Sequence, residues 1–220
     1  MRNHLTFGAV SGALLLLASP AIADNLSFTG SFTQDDQLQT FSFTLAAPSA
    51  VTFQTFGYAG GTNAAGQTIP LGGFDPWLSL FDSTGSLIGQ NNDGTGFVGT
   101  DPNTGASLDS YFVEPSLGAG TYLLVLSQSD NGPNGPTFAD GFHEQGNPTF
   151  TTAFGCSNQI FCDETFVDPY NNRTGNWAVD IDNISAATVP EPQPVLLTGA
   201  ILFLGMVKLR RRVRTEAARG

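Results

Sequence analysis

Phe41-Ser42-Phe43-Thr44-Leu45 alternates large apolar residues with small polar ones, as a β-strand with one face in a core does. The same period of two recurs along the chain, and no stretch shows the spacing of an amphipathic helix. Turns rich in Gly, Asn, Asp and Pro separate about eight predicted strands, most of which alternate in this way. They lie at 26–32, 41–45, 51–55, 78–80, 87–88, 111–113, 121–126 and 177–181. Residues 111–113 are instead a short apolar run, and 121–126 are apolar on both faces, as expected for a central strand.

This pattern predicts an all-β body, a single antiparallel β-sandwich with a jelly-roll-like arrangement of about eight strands. Two turn-rich stretches, 57–73 and 129–147, are too long for hairpin loops. We expect both to decorate one end of the sandwich.

The first 23 residues predict a secretory signal peptide. Arg2 and His4 form a weakly basic start, and the leucine run 14–17 follows. Ala21-Ile22-Ala23 then places small residues at the −3 and −1 positions of a cleavage site after Ala23. The apolar run is too short for a permanent membrane span. A buried N-terminal helix is the alternative interpretation.

Residues 189–220 predict a short C-terminal transmembrane helix. Val189-Pro190-Glu191-Pro192 precedes an uncharged run over 195–207. A helix of that length reaches about 20 Å, less than the hydrocarbon core of about 30 Å, so it spans only with help from flanking residues and snorkelling arginines. A cationic cluster keeps the tail inside the cell and the body outside. The cluster consists of Lys208, Arg210, Arg211, Arg212 and Arg214.

The order of a Val-Pro-Glu-Pro motif, a short apolar helix and an arginine cluster resembles the PEP-CTERM sorting signal. Proteins with such tails are exported by Gram-negative bacteria that make extracellular polysaccharide. The resemblance implies export across the inner membrane to the cell surface or matrix and processing near Pro190-Glu191-Pro192 by a membrane enzyme, an exosortase. An ordinary tail anchor is the alternative.

Charge separates the predicted ectodomain, residues 24–188, from the two ends of the chain. The ectodomain holds seventeen acidic residues and one basic residue, Arg173, a net charge of −16 against −11 for the whole chain. Such a body does not bind nucleic acid or an anionic membrane through a basic surface. It attracts cations, of which calcium is the obvious extracellular one. Disorder is the competing interpretation of an acidic, Gly-rich chain, but the regularly spaced apolar residues favour a folded core.

Cys156 and Cys162 are the only cysteines and lie six positions apart in the predicted ectodomain. An even cysteine count in an oxidising compartment favours a disulfide that closes a small loop. A cysteine metal site is less favoured, because His143 is the only histidine of the mature chain.

A second resemblance covers roughly residues 75–126 well, with looser support back to Leu26 and forward to Ile181. The motifs that carry it are Phe74-Asp75-Pro76-Trp77-Leu78-Ser79-Leu80-Phe81-Asp82-Ser83-Thr84-Gly85, Asn91-Asn92-Asp93 and Leu117-Gly118-Ala119-Gly120-Thr121-Tyr122. They resemble the bacterial pre-peptidase C-terminal domains and their relatives on exported PEP-CTERM proteins. The resemblance implies a small β-sandwich, sometimes calcium-binding, that often accompanies secreted enzymes without being one.

Five aspartates fall in one 35-residue window of turns and strand ends, at positions 75, 82, 93, 101 and 109. Asp75, Asp93 and Asp109 flank predicted strands, so one end of the sandwich could bring them together. Calcium takes six to eight oxygen ligands, carboxylates among them. These three residues are therefore the predicted calcium ligands, and the alternative is that the aspartates only cap turns.

No catalytic motif stands out. The stretch 94–99 fits G-x-G-x-x-G but lacks the preceding buried strand and following helix of a dinucleotide site. His143 lacks the second histidine of a zinc protease, and no carboxylate pair, Asp140 and Glu144 included, is marked out for glycosidase chemistry.

The sequence therefore predicts a non-enzymatic surface or matrix protein associated with extracellular polysaccharide. Tyr58 and Tyr170 are the aromatic residues that we expect to be exposed and able to stack on sugars, and a packing role is the equal alternative for each. A calcium-dependent binding or adhesion module is the first alternative, and a secreted hydrolase is the second.

Overall fold

The structure is a computed structural model that describes residues 23–185. The predicted signal peptide, apart from Ala23, and the predicted sorting tail with its transmembrane helix lie outside the described residues. Between residues 23 and 185, no helix is long and apolar enough to cross a membrane.

Between residues 23 and 185, ten strands and two short 3-10 helices, Phe138–Asp140 and Phe150–Phe154, form the regular structure. All pairings between the strands are antiparallel. In chain order the strands are β1 (Ala23–Ser31), β2 (Gln39–Leu45), β3 (Ser49–Thr55), β4 (Gly61–Thr62), β5 (Thr68–Ile69), β6 (Pro76–Phe81), β7 (Leu87–Asn91), β8 (Tyr111–Leu117), β9 (Gly120–Gln128) and β10 (Asn176–Ser185). One four-stranded sheet has the order β1-β10-β3-β8 and the other β2-β9-β6-β7. The short strands β4 and β5 form a separate hairpin.

A single hydrophobic cluster lies between the two four-stranded sheets. In β2, Phe41, Phe43 and Leu45 are buried while the intervening residues are exposed. Their rings and side chains share the cluster with Phe53 of β3 and Ile181 of β10, from the other sheet. Burying one such side chain contributes roughly 1.5–3 kcal/mol. The predicted all-β class with antiparallel sheets is confirmed, and the shared core is compatible with the predicted β-sandwich.

The two ends of the sheets differ in the chain segments that lie there. At the terminal end, Ala23 of β1 pairs with Ser185 of β10, so both ends of the described chain emerge together. At the opposite end, which we call the distal end, β3, β7 and β9 finish while β6, β8 and β10 begin. Ser110 joins the two sheets there, because its hydroxyl donates to the carbonyl of Pro76 (2.6 Å) and lies 3.0 Å from that of Asn91.

The sequence predicts that both long loops lie at one end of the sheets. The structure differs, because both loops extend beyond that end. Loop 57–73 leaves the distal end and crosses the outer face of the β1-containing sheet, where the Ala64 N–H donates to Asp180 (2.7 Å). Loop 129–147 also starts at the distal end but reaches the turn after β6, where the Phe138 N–H donates to Gly85 O (2.8 Å). Both loops therefore cover outer faces of the sheets.

Candidate metal centre

Two aspartates of the predicted window hold turns or an ion pair. Asp82 Oδ1 accepts hydrogen bonds from the N–H groups of Thr84 (2.8 Å) and Ser86 (3.0 Å), and from the Thr84 hydroxyl (2.7 Å). These bonds lower the pKa of Asp82. Asp101 is buried and accepts from the Arg173 guanidinium at 2.7 Å. Asp82 caps its turn, and Asp101 also accepts from the Asn103 N–H of its own turn (2.8 Å), so both residues agree with the alternative that the aspartates cap turns.

Asp109 lies at the distal end, as predicted, but both of its carboxylate oxygens are occupied by protein donors. Oδ1 accepts from the Thr55 hydroxyl (2.9 Å) and the Tyr58 N–H (3.0 Å), and Oδ2 accepts from the Ala59 N–H (2.8 Å). Burial raises the pKa of Asp109, and the three hydrogen bonds oppose that rise. Asp109 thus holds the start of loop 57–73 by hydrogen bonds, and these bonds occupy most of the lone pairs of its carboxylate.

Asp75 is in the opposite situation. It directly precedes β6, and its backbone carbonyl accepts the Ser129 N–H at 2.8 Å. Its side chain is partly exposed, yet its Oδ1 is buried and has no hydrogen-bond partner within residues 23–185. Burial raises the pKa of Asp75 well above its ordinary value. Nearby negative charges raise it further, in the order Asp93, Asp163, Asp109 and Asp130.

Two amide oxygens beside Asp75 are also buried without a hydrogen-bond donor: Asn92 Oδ1 and Gln128 Oε1. The Asn92 amide nitrogen donates to Ser129 Oγ (3.3 Å), next to the bond that holds Asp75. Gln128 is 2% exposed and pairs in register with Pro76. Its amide nitrogen donates to the Cys162 carbonyl at 3.5 Å. Three buried side-chain oxygens at three neighbouring strand ends therefore have no hydrogen-bond donor among residues 23–185.

Further carboxylates surround these oxygens. The pKa of Asp93 is raised by burial and then by the charge of Asp163. The pKa of Asp130 is raised by burial and by Glu144, and His143 partly offsets this. Asp163 is buried and accepts from the Tyr58 hydroxyl at 2.8 Å. We call Asp75, Asp93, Asp130 and Asp163 the distal acidic cluster.

Between residues 23 and 185, no lysine or arginine is free to neutralise this cluster. Arg173 is the only lysine or arginine between residues 24 and 188. Its guanidinium donates to Asp101, to Gly73 O (2.9 Å) and to Tyr58 O (2.8 Å), and it lies 3.7 Å from the centroid of the Tyr58 ring. The charge of Arg173 is therefore used in fastening three loops together.

The donor chemistry of the distal end suits a hard cation. In the described part of the chain, no three His, Cys, Asp or Glu side chains form a metal-binding group by themselves. A cation here therefore needs amide oxygens as well as carboxylates. Calcium accepts both, together with water, in a flexible shell of six to eight oxygens, whereas magnesium demands near-ideal octahedral geometry. Asp75, Asn92 and Gln128, with the carboxylate of Asp93, fit calcium in chemical type. Both oxygens of Asp163 accept from protein donors, the Tyr58 hydroxyl (2.8 Å) and the Thr165 N–H (2.9 Å).

The disulfide predicted from the sequence lies against this site. Cys156 and Cys162 are bonded, with 5.5 Å between their Cα atoms. The Cys162 carbonyl receives the bond from Gln128, and Asp163 is the next residue in the chain. The closed loop thereby presents Asp163 to the distal end.

Of the two tyrosines expected to be exposed, only Tyr170 is exposed. Tyr58 is 0% exposed, which contradicts the expectation that it could stack on a sugar. Its ring lies under the Arg173 guanidinium, and burial raises the pKa of its hydroxyl. Tyr170 is 53% exposed.

The remaining sequence motifs have structural roles or lie elsewhere. Loop 94–99 follows β7 and leads into turns, so it lacks the helix of a dinucleotide site. Asp140 accepts from the Thr137 N–H (2.9 Å) and Glu144 from the Asn147 amide (3.0 Å), within loop 129–147. The predicted sorting residues, Val189 to Pro192 and Arg210 to Arg212, lie outside the described residues.

Comparison with known proteins places this chain in no family. Neither a protein-family model nor a curated protein sequence matches it. Its function is therefore inferred from the geometry of the distal end.

Proposed function

We propose that the body is a calcium-binding, non-enzymatic β-sandwich module of an exported surface protein. Without the β4–β5 hairpin, eight strands remain, in two sheets with the orders β1-β10-β3-β8 and β2-β9-β6-β7. These orders support a jelly-roll arrangement. The observation that carries the proposal is the buried Oδ1 of Asp75, which has no donor among residues 23–185, at an end of the sheets where the amide oxygens of Asn92 and Gln128 have none either.

The energetic reason is the cost of an uncompensated buried carboxylate. A buried ionised group without a partner is strongly disfavoured, and proteins normally supply donors or a metal. At Asp109 the protein supplies three donors. At Asp75 it supplies none to Oδ1 and instead adds negative charges, so a bound divalent cation would remove both penalties at once.

The export part of the proposal comes from the sequence. The acidic body and the disulfide are consistent with an oxidising extracellular compartment. The partners proposed for the tail are the membrane and an exosortase-type enzyme. Replacing Arg210, Arg211 and Arg212 by neutral residues should abolish retention and processing, as seen in the mass and location of the mature protein. An unchanged mass and location would contradict this proposal.

Calorimetry on the full chain, purified in a polyoxyethylene detergent, tests the calcium proposal. The protein is melted in chelator and then with calcium or magnesium. At a calcium concentration about a hundred times Kd, binding stabilises the native state by about 2.7 kcal/mol. For a domain of this size the corresponding rise in Tm is about 5–10 °C. We expect a smaller rise with magnesium.

Two matched variants locate the effect. D75N should abolish the calcium-dependent rise in Tm. D82N removes one aspartate from the same window but at the other end of the sheets, and it should keep the rise. Superimposable melts of the wild-type protein with calcium and with chelator would refute the calcium proposal.

A further inference from the structure

An exposed pair of stacked aromatic rings lies beside the candidate cation site. Phe97 and Tyr111 stack with 5.0 Å between ring centroids and 4° between ring planes. Phe97 nevertheless stays 71% exposed. One face of the Phe97 ring therefore rests on Tyr111 while the other is open to solvent. We call this pair the aromatic platform.

Backbone contacts hold the platform next to the calcium ligands. The Phe97 N–H donates to Gly94 O at 2.9 Å, and Gly94 directly follows Asp93. The Tyr111 N–H donates to Asn91 Oδ1 at 2.8 Å, one residue before Asn92. A Cβ on Gly94 would lie 2.5 Å from Tyr111 Cβ, so only glycine lets the loop approach the ring this closely. The two sites thus share the turn 91–94, which carries Asn92 and Asp93 of the candidate cation site.

The shape and surroundings of the platform indicate what it could hold. A flat aromatic face carries partial negative charge and attracts C–H groups, such as those on the apolar face of a pyranose ring. Hydroxyls that can pair with those of a sugar lie nearby along the chain, at Thr95, Thr100 and Ser107. Thr100 Oγ1 and Ser107 Oγ are 2.8 Å apart. Around Phe97 the loop otherwise consists of glycine, threonine and the half-buried Val98, so it has little further apolar area to insert into a lipid bilayer.

Charge narrows the choice of sugar. A body with a net charge of −16 repels polyanions unless a cation lies between them. A calcium ion held by the distal acidic cluster supplies that cation, because its shell of six to eight oxygens has positions beyond those of the protein. An acidic sugar can place its carboxylate on the ion while its ring covers the platform.

We propose that the aromatic platform and the calcium ion together bind one residue of an acidic polysaccharide. The ring stacks on Phe97, and its carboxylate coordinates the calcium. This inference rests on the proposed calcium site and names the partner of that site.

The test uses tri-galacturonic acid as the probe and the full chain in polyoxyethylene detergent. Titration calorimetry with calcium should show binding, and titration in chelator should show none. Cellotriose, which has no carboxylates, should bind at least about tenfold more weakly. F97A should lower the affinity for tri-galacturonic acid about tenfold because the stacked area is lost. F97W should keep the affinity.

Two controls separate the possible failures. F97A must retain the calcium-dependent rise in Tm, which shows that the fold and the cation site are intact. Y170A removes an exposed aromatic from another loop and should bind the probe like the wild-type protein. If calcium itself fails to bind, the proposed function fails. If calcium binds but the probe does not, or if F97A binds it normally, only the platform inference is overturned.

Binding to lipid is the remaining outcome. Vesicles of phosphatidylglycerol are mixed with the calcium-loaded protein and sedimented. Sedimentation of the wild-type protein but not of F97A, without binding of tri-galacturonic acid, would assign the platform to a lipid surface and overturn the sugar proposal.

Discussion

Asp109 and Asp75 lie at the same end of the two sheets, and burial raises the pKa of each. Asp109 receives three hydrogen bonds on its two oxygens, while the buried Oδ1 of Asp75 receives none from residues 23–185. Asp35 resembles Asp109, because it is fully buried and accepts from Thr151 and from the Phe161 N–H (2.7 Å). Burial of an acid therefore does not by itself distinguish a ligand site in this protein, because Asp109 and Asp35 are buried and their carboxylates are supplied with donors.

The largest effect is expected where a buried acid depends on a buried cation. R173M leaves Asp101 buried and unpaired, and it removes the donors to Gly73 O and Tyr58 O. Breaking one partner of a buried ion pair costs about 3–5 kcal/mol. Urea denaturation of the variant measures the loss, and the double variant R173M/D101N should recover part of it. A loss below about 1 kcal/mol would show that this network does not stabilise the fold.

A smaller loss is expected from D109A, which leaves the Tyr58 and Ala59 N–H groups without their acceptor. Each buried group left unsatisfied costs about 1–3 kcal/mol. Because Asp109 acts as a structural acceptor, the loss should be the same in calcium and in chelator. A loss that appears only in calcium would instead place Asp109 among the calcium ligands, as the sequence predicted.

The effect of D75N should have the opposite sign in chelator. Removing the charge relieves repulsion from Asp93 and Asp163 and the cost of burial, so the variant should be at least as stable as the wild-type protein. In calcium it should lack the rise of about 5–10 °C in Tm. Melting the wild-type protein and D75N in chelator and in calcium measures whether the order of their Tm values reverses between the two buffers. A D75N variant that is less stable in chelator would show that Asp75 has a structural partner.

The smallest effect is expected on the outer face of the sheet that contains β10. Burial raises the pKa of Asp182, and the charge of Asp180 raises it further. Ionising Asp182 therefore costs stability in the folded state, and stability falls as pH rises from the unfolded pKa of about 3.9 through the folded pKa. D182N removes this fall, so its Tm should exceed that of the wild-type protein at pH 7 by about 2 °C or less.

At pH 3 the two proteins should melt together. D182N should also keep the full calcium-dependent rise in Tm, because no cluster of buried amide oxygens accompanies Asp182. A parallel pH profile for D182N and the wild-type protein would contradict the proposed repulsion.

Strands such as β2 and β3 could be predicted because one face of each lies in the shared core, which imposes a period of two on its residues. The central strand β9 could be predicted from its apolar run, because its residues pack in clusters on both faces of the sheet. The hairpin of β4 and β5 could not, since strands of two residues carry no period. Tyr58 was wrongly expected to be exposed, because its burial depends on Arg173, which lies 115 positions later in the chain. No local pattern near Tyr58 contains that information.

The candidate site could be predicted only in part, for the same reason. Asp75 and Asp93 flank strands, which placed them at a common end. Gln128 joins them through its pairing with Pro76, and Asp163 joins them through the disulfide loop. Both depend on long-range contacts. The one local hint was a glutamine at the end of the apolar strand β9, a residue that needs a partner when buried.

The pairing of Ala23 with Ser185 has a mechanical consequence. A protein held at its C-terminal side and gripping a polymer at its distal end would carry tension along the whole length of β10. That strand is flanked by β1 and β3, so its ladders on both sides would be loaded in shear, with many hydrogen bonds sharing the force. Pulling both ends of the chain apart at the terminal end would instead unzip β1 from β10 one bond at a time. The direction of pull thus decides how much force the body withstands.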